Sequence, residues 1–146
     1  MVIEGSCVQA DACQVVSPQL EHILVVDDDV GQAEVLAYRF RKLGYRLSIA
    51  STGRDGLSMA RVERPHLIVL DIRLPDSDGL NICLELSEGT QTREIPVIIV
   101  SGMEGPDIIR RARAVGCQYY VRKPYDPNAL LVLVQTAIAE SRDWDR

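Results

Sequence analysis

Between residues 67 and 80 the chain reads LIVLDIRLPDSDGL, and no other stretch restricts the possible folds as strongly. The apolar run of residues 67–70 leads directly into Asp71, then into a loop carrying Pro75 and Gly79. A short β-branched run bounded by turn residues predicts a strand. Without polar alternation, that strand must be covered on both faces. Asp71 then stands where a buried strand surfaces, at the carboxyl end where open α/β sheets carry their chemistry.

The chain from Glu21 onward repeats this design. Residues 23–26 form a second buried run, ending in Asp27, Asp28 and Asp29. Asp29 can cap a helix from Val30 to about Leu43, with Ala33, Leu36, Ala37, Phe40 and Leu43 as its apolar stripe. Gly44 stops it. A strand at 45–51 follows, then a helix opened by Thr52 and Gly53 that carries Leu57, Ala60 and Arg61 toward Pro65. After the central strand comes a helix at about 80–87 bearing Ile82, Cys83 and Leu86. Residues 97–100 form a fourth strand, ending in Ser101. Pro106 and Asp107 open a helix that runs to Val115 and Gly116. Residues 119–121 make a fifth strand, ending near Lys123 and Pro124. Asp126 followed by Pro127 starts a last helix, as cap and first-turn proline.

Strands alternating with helices five times predict an α/β fold with a mostly parallel sheet. Right-handed crossovers put every strand's carboxyl end on one edge. Asp27, Asp28, Asp71, Ser101 and Lys123 therefore gather there. The expected organisation is an extension over 1–20, one domain over 21–141 and a polar tail over 142–146.

Composition narrows the functions. A net charge of −5 argues against a general nucleic-acid binder. No apolar run reaches bilayer length, and the first Lys or Arg is Arg39, so neither membrane insertion nor a secretory leader is expected. A cytoplasmic location is the expectation. Cys7, Cys13, Cys83 and Cys117 show no metal-ligand spacing and read as reduced thiols, with Cys83 and Cys117 as small core residues.

Three carboxylates on one edge repel one another by about 3 kcal/mol per pair, for charges ~5 Å apart at an effective dielectric of ~20. A cation among them relieves that. Hard oxygen donors with room for water suit Mg²⁺ better than zinc. Lys123 adds a fixed positive charge and Ser101 a hydroxyl. Together they suit phosphoryl transfer to a carboxylate nucleophile.

The segments ILVVDDD (23–29), LIVLDIRLPDSDG (67–79), VIIVSG (97–102) and YYVRKP (119–124) resemble, in order and spacing, the receiver domain of two-component response regulators. The chain is similar to the single-domain chemotaxis members. The resemblance implies a flavodoxin-like, doubly wound, five-stranded parallel sheet of order 2-1-3-4-5 with five helices. It implies Asp71 as phosphoacceptor and Mg²⁺ held by Asp28, Asp71, the Arg73 backbone carbonyl and, partly through water, Asp27. Ser101 and Lys123 would grip the phosphoryl oxygens. Tyr120 would be the aromatic that turns inward when Ser101 shifts, and Lys123–Pro124 a cis bond. The phosphodonor would be a histidine kinase or phosphotransfer protein. The chain would then be a signalling switch and no enzyme beyond assisting its own phosphorylation and dephosphorylation.

Two features belong to this chain itself. Arg73 and Met103 lie two residues beyond Asp71 and Ser101, where they would shield the acyl phosphate and slow its loss. In the last helix, residues 129–134 are apolar without interruption. If Leu130, Val134, Ala137 and Ile138 face the sheet, Val132 points away and Leu131 sits at the margin. That suggests a homodimer or effector surface, with Arg110, Arg111, Arg113 and Arg122 as a basic rim. The rival reading is a small haloacid-dehalogenase-like phosphatase with Asp27 as nucleophile. That fold needs an acidic pair on a strand after Lys123, and it leaves LPDSDG unexplained.

Overall fold

A computed structural model describes residues 20–144. The strands are β1 (His22–Val26), β2 (Arg46–Ala50), β3 (Leu67–Asp71), β4 (Val97–Ser101) and β5 (Tyr119–Arg122). They pair in parallel, in the order β2-β1-β3-β4-β5. The helices are α1 (Val30–Lys42), α2 (Gly53–Glu63), α3 (Gly79–Glu88), α4 (Pro106–Ala114) and α5 (Pro127–Trp144).

Because strand side chains alternate, each apolar run feeds two cores. Leu24, Val26, Ile68, Leu70, Val97 and Ile99 face α2, α3 and α4, meeting Leu57, Ile82, Leu86 and Ile108. Ile23, Val25, Leu67, Val69, Ile98 and Val100 face α1 and α5, meeting Leu36, Phe40, Leu130 and Val134. β1, β3 and β4 are buried along their whole length. That burial explains why they lack polar alternation.

The helix starts follow local chemistry. Asp29 accepts the Gln32 N–H at 3.1 Å, Thr52 accepts the Asp55 N–H at 3.1 Å, and Asp78 accepts the Leu80 N–H at 2.8 Å. The Asn128 N–H donates to Asp126 at 2.9 Å. Gly44 and Gly116 take positive φ just past α1 and α4.

Two expectations need correction. Leu43 is not part of the α1 stripe: it is the C-cap residue, where the chain already leaves the helix, and it is exposed. The last helix does not end near Ser141 but runs to Trp144, since no glycine or proline interrupts it, and Arg142 pairs with Glu21. The facing of α5 is as the periodicity predicts. Leu130, Val134, Ala137 and Ile138 are buried, Leu131 is half-buried and Val132 is 58% exposed. Cys83 is buried and Cys117 half-buried, both free. Burial pushes the Cys83 thiol up to about 12 and Cys117 up to about 11, so both stay protonated and inert. Cys7, Cys13 and residues 1–19 of the expected extension lie outside the described residues. Among the described residues, no helix is long and apolar enough to cross a membrane.

Candidate functional site

Asp27, Asp71 and Ser101 each sit where an apolar strand gives out. Asp27 directly follows β1, and its N–H continues the ladder to the Ala50 carbonyl at 3.0 Å. Asp71 ends β3 in register with Val100, and Ser101 ends β4 beside Arg122. The Lys123 N–H donates to the Ser101 carbonyl at 2.7 Å, so the β4–β5 pairing delivers Lys123 to the same edge. The peptide bond to Pro124 is cis, as the resemblance implied.

One oxygen each from Asp27, Asp28 and Asp71 lies within 4.8 Å of the others. Asp27 and Asp71 are only 6% and 7% exposed, whereas Asp28 is open to solvent. Lys123 Nζ lies 3.2 Å from Asp71 Oδ2 and 3.4 Å from Asp27 Oδ2. Burial raises the Asp27 carboxyl above its ordinary range. The Asp29 N–H at 2.9 Å and the Lys123 ammonium oppose the rise without cancelling it, and Asp71 adds to it. Burial alone would lower the Lys123 ammonium. The Asp71 and Asp27 carboxylates outweigh that and hold it above its ordinary range.

This donor set consists of carboxylate oxygens, with no thiolate or imidazole among them, and one ammonium does not balance it. Such an arrangement fits a hard divalent cation that keeps water among its ligands.

The loop after Asp71 folds back tightly. The Arg73 N–H donates to Asp71 Oδ1 at 3.2 Å, and the Gly79 N–H to the Ile72 carbonyl at 2.7 Å. A Cβ on Gly79 would meet the Asp71 carbonyl oxygen at 2.2 Å, so this return admits glycine alone. Ser101 is 1% exposed, and its Oγ accepts the Met103 N–H at 3.0 Å. The Tyr120 hydroxyl donates to the Met103 carbonyl at 2.6 Å. The Met103 backbone thus joins the two residues that the resemblance linked, which the sequence did not indicate. The side chain of Met103 is partly buried against the α3–α4 core, and that of Arg73 is exposed.

Of the basic rim, Arg122 pairs with Glu104 and Arg110 with Asp107. Both pairs are exposed, and both guanidinium groups are engaged within this chain. Beside Lys123 a cleft opens between α1 and α5, lined by Gly31, Gln32, Val35, Pro124 and Tyr125. One polar residue at this edge escaped sequence reasoning. Asp76 accepts hydrogen bonds from Gly53 and Arg54, 23 and 22 residues away, and no local pattern marks such a contact.

A family model described as "Response regulator receiver domain" matches residues 23–135. Protein PilH of Pseudomonas aeruginosa is 30% identical over 120 residues, covering 82% of this chain and 99% of its own. The alkaline phosphatase synthesis transcriptional regulatory protein PhoP of Bacillus subtilis is 31% identical over 119 residues, covering 82% of this chain and 49% of its own. The chain spans about half the length of the transcriptional regulators it matches. A CheY-like response regulator receiver domain protein from Methanospirillum hungatei superimposes with a TM-score of 0.81 at 26% identity, covering 86% of this chain and 98% of that one.

Proposed function

The chain belongs to the response regulator receiver domain family, and from that premise we propose that it takes a phosphoryl group onto Asp71 from a histidine kinase or phosphotransfer protein. The observation that carries the reading is the meeting of Asp71 with Lys123 at 3.2 Å, beside the Asp27 and Asp28 carboxylates. A carboxylate oxygen of Asp71 attacks phosphorus, the P–O bond forms, and the electrons of the broken P–N bond return to the donor's imidazole. Lys123 offsets charge on the transferring oxygens. The Ser101 hydroxyl already accepts from the Met103 N–H, so its own proton is free to be donated to them. Asp28 and Asp71, with Asp27 and the Arg73 carbonyl, would hold Mg²⁺. When bound, that ion neutralises charge on the reacting oxygens.

Phosphorylation adds roughly 1.5 to 2 negative charges and three acceptor oxygens beside Ser101. Drawing Ser101 toward them releases the Met103 N–H. Because Tyr120 holds the carbonyl of the same residue, the α4–β5–α5 face responds. Arg73 and Met103 set the lifetime of the phosphate. Val132 and Leu131 on α5 offer that face to an effector or a second copy, which sedimentation with and without phosphodonor reads directly. The protein acts as a cytoplasmic switch and no enzyme on other substrates.

The test is labelling by a small-molecule phosphodonor with Mg²⁺. The wild type takes hydroxylamine-labile phosphate and holds it for minutes, whereas Asp71→Asn takes none. Label lost within seconds removes the shielding assigned to Arg73 and Met103. Label that survives in Asp71→Asn but vanishes in Asp27→Asn favours the phosphatase reading instead. That rival is not supported here: among the described residues no strand follows Lys123.

A further inference from the structure

The loop between β3 and α3 carries Arg73, whose backbone touches the phosphoacceptor, yet most of its residues are exposed. Its base is closed on itself by Gly79 N–H to Ile72 carbonyl, by the Arg73–Asp78 bridge and by the Asp78 cap. These tie the loop to no element beyond α3, which it leads into. Among the described residues, the hydrogen bonds of 74–77 that reach another element all come from Asp76. Its Oδ1 accepts the Gly53 N–H at 2.8 Å and its Oδ2 the Arg54 N–H at 3.1 Å.

Those two donors open α2, where backbone N–H groups have no partner within the helix. Thr52 satisfies the next one, at Asp55. The first turn of α2 is therefore capped by two residues, one local and one from the active-site loop. A carboxylate suits this end of a helix, where it meets the positive end of the dipole and makes charge-assisted bonds. The Ser77 hydroxyl donates to Asp76 Oδ1 at 3.0 Å and orients it further. The seat is close. A Cβ on Gly53 would lie 2.1 Å from Ser77 Oγ and 3.0 Å from Ile82 Cγ1, so the loop rests on bare backbone.

We propose that Asp76 is a positioning residue for phosphoryl transfer, clamping the β3–α3 loop onto the first turn of α2 so that Arg73 stays seated against Asp71. The inference rests on the reading of Asp71 as phosphoacceptor. Asp76 touches none of the reacting groups and acts through the loop alone. Groups that hydrogen-bond a metal ligand directly typically lower affinity or activity by roughly 10- to 100-fold when removed; Asp76 stands one contact further out, so the low end of that range is expected.

The experiment compares the whole chain as wild type, Asp76→Ala, Asp76→Asn and Thr52→Ala. The readouts are hydrogen exchange at the Arg73 amide, the Mg²⁺ dissociation constant and the rate of labelling by a small phosphodonor. Asp76→Ala should speed Arg73 exchange several-fold, leave the Leu80 amide protected by Asp78, and slow labelling by about tenfold. Asp76→Asn keeps one acceptor oxygen and should fall between Asp76→Ala and the wild type. Thr52→Ala frays the same helix end without touching the loop, and should change labelling by less than about twofold. Unchanged Arg73 exchange in Asp76→Ala overturns the clamp, and so does equal slowing in Thr52→Ala. If the wild type takes no phosphate at Asp71, the phosphoacceptor reading fails and Arg73 exchange alone decides whether the clamp exists.

Discussion

The two edges of the sheet both bury polar side chains, and they treat them in opposite ways. At the amino edge His22 is 3% exposed, and its N–H donates to His66 Nδ1 at 2.9 Å. Its Nε2 lies 2.7 Å from Ser48 Oγ, and the Ser48 hydroxyl donates to Glu63 at 2.8 Å. With that hydrogen committed to Glu63, Nε2 must carry the imidazole proton and Ser48 must accept it. The His22 backbone N–H, its Nε2 and the Ser48 hydroxyl each find a partner inside the protein. At the carboxyl edge three carboxylates converge, and one ammonium reaches two of them. That imbalance is relieved by a bound cation or by proton uptake at Asp27. Polar burial at one end holds β1, β2 and α2 together, whereas at the other it leaves an acidic pocket that could hold a metal ion.

Thermal melting in chelator and in Mg²⁺ gives the sharpest way to break this contrast. Burial disfavours the charged form of Asp27, so in chelator Asp27→Asn should be more stable than the wild type. Saturation at a hundred times the dissociation constant stabilises the wild type by about 2.7 kcal/mol and should reverse that order. If the order is the same in both buffers, the carboxyl edge is not poised for a cation. Ser48→Ala supplies the opposite arm: it removes the middle of a satisfied chain and should cost about 1 kcal/mol. Its response to Mg²⁺ should match the wild type's, because the amino edge shares no group with the metal site.

What could be read from the sequence follows the same division. The carboxyl edge was legible because each of its residues ends an apolar run: Asp27 after ILVV, Asp71 after LIVL, Ser101 after VIIV. Topology then brings these strand ends together. Periodicity was enough to set the face of α5, with Leu130 and Val134 inside and Val132 outside. The amino-edge network was not legible, since His22, Ser48 and Glu63 meet through register between strands and the packing of α2. Asp76 was hidden for a similar reason. A turn-forming Asp beside proline reads as local, yet its partners lie 23 and 22 residues away. Leu43 misled in the other direction: it has the spacing of the α1 stripe but falls at the cap, where the helical repeat no longer applies.

The smallest effect tests the amino edge by itself. Burial first, then Arg46, lowers the His22 imidazole below its ordinary value of 6.5; Glu63 opposes this and His66 adds to it. A histidine with a lower pKa folded than unfolded binds fewer protons in the native state. Stability therefore rises with pH through this window. The contribution is fully present above pH 6.5 and is lost as pH falls toward the depressed value. Melting from about pH 7.5 to about pH 5.5 should destabilise the wild type more than His22→Gln, which keeps a hydrogen-bonding side chain but cannot titrate there. Equal slopes would mean that Glu63, at 3.3 Å from Nε2, accepts the protonated ring as readily as water does. The amino edge would then be an ion pair in waiting, and the contrast between a balanced and an unbalanced edge would no longer hold.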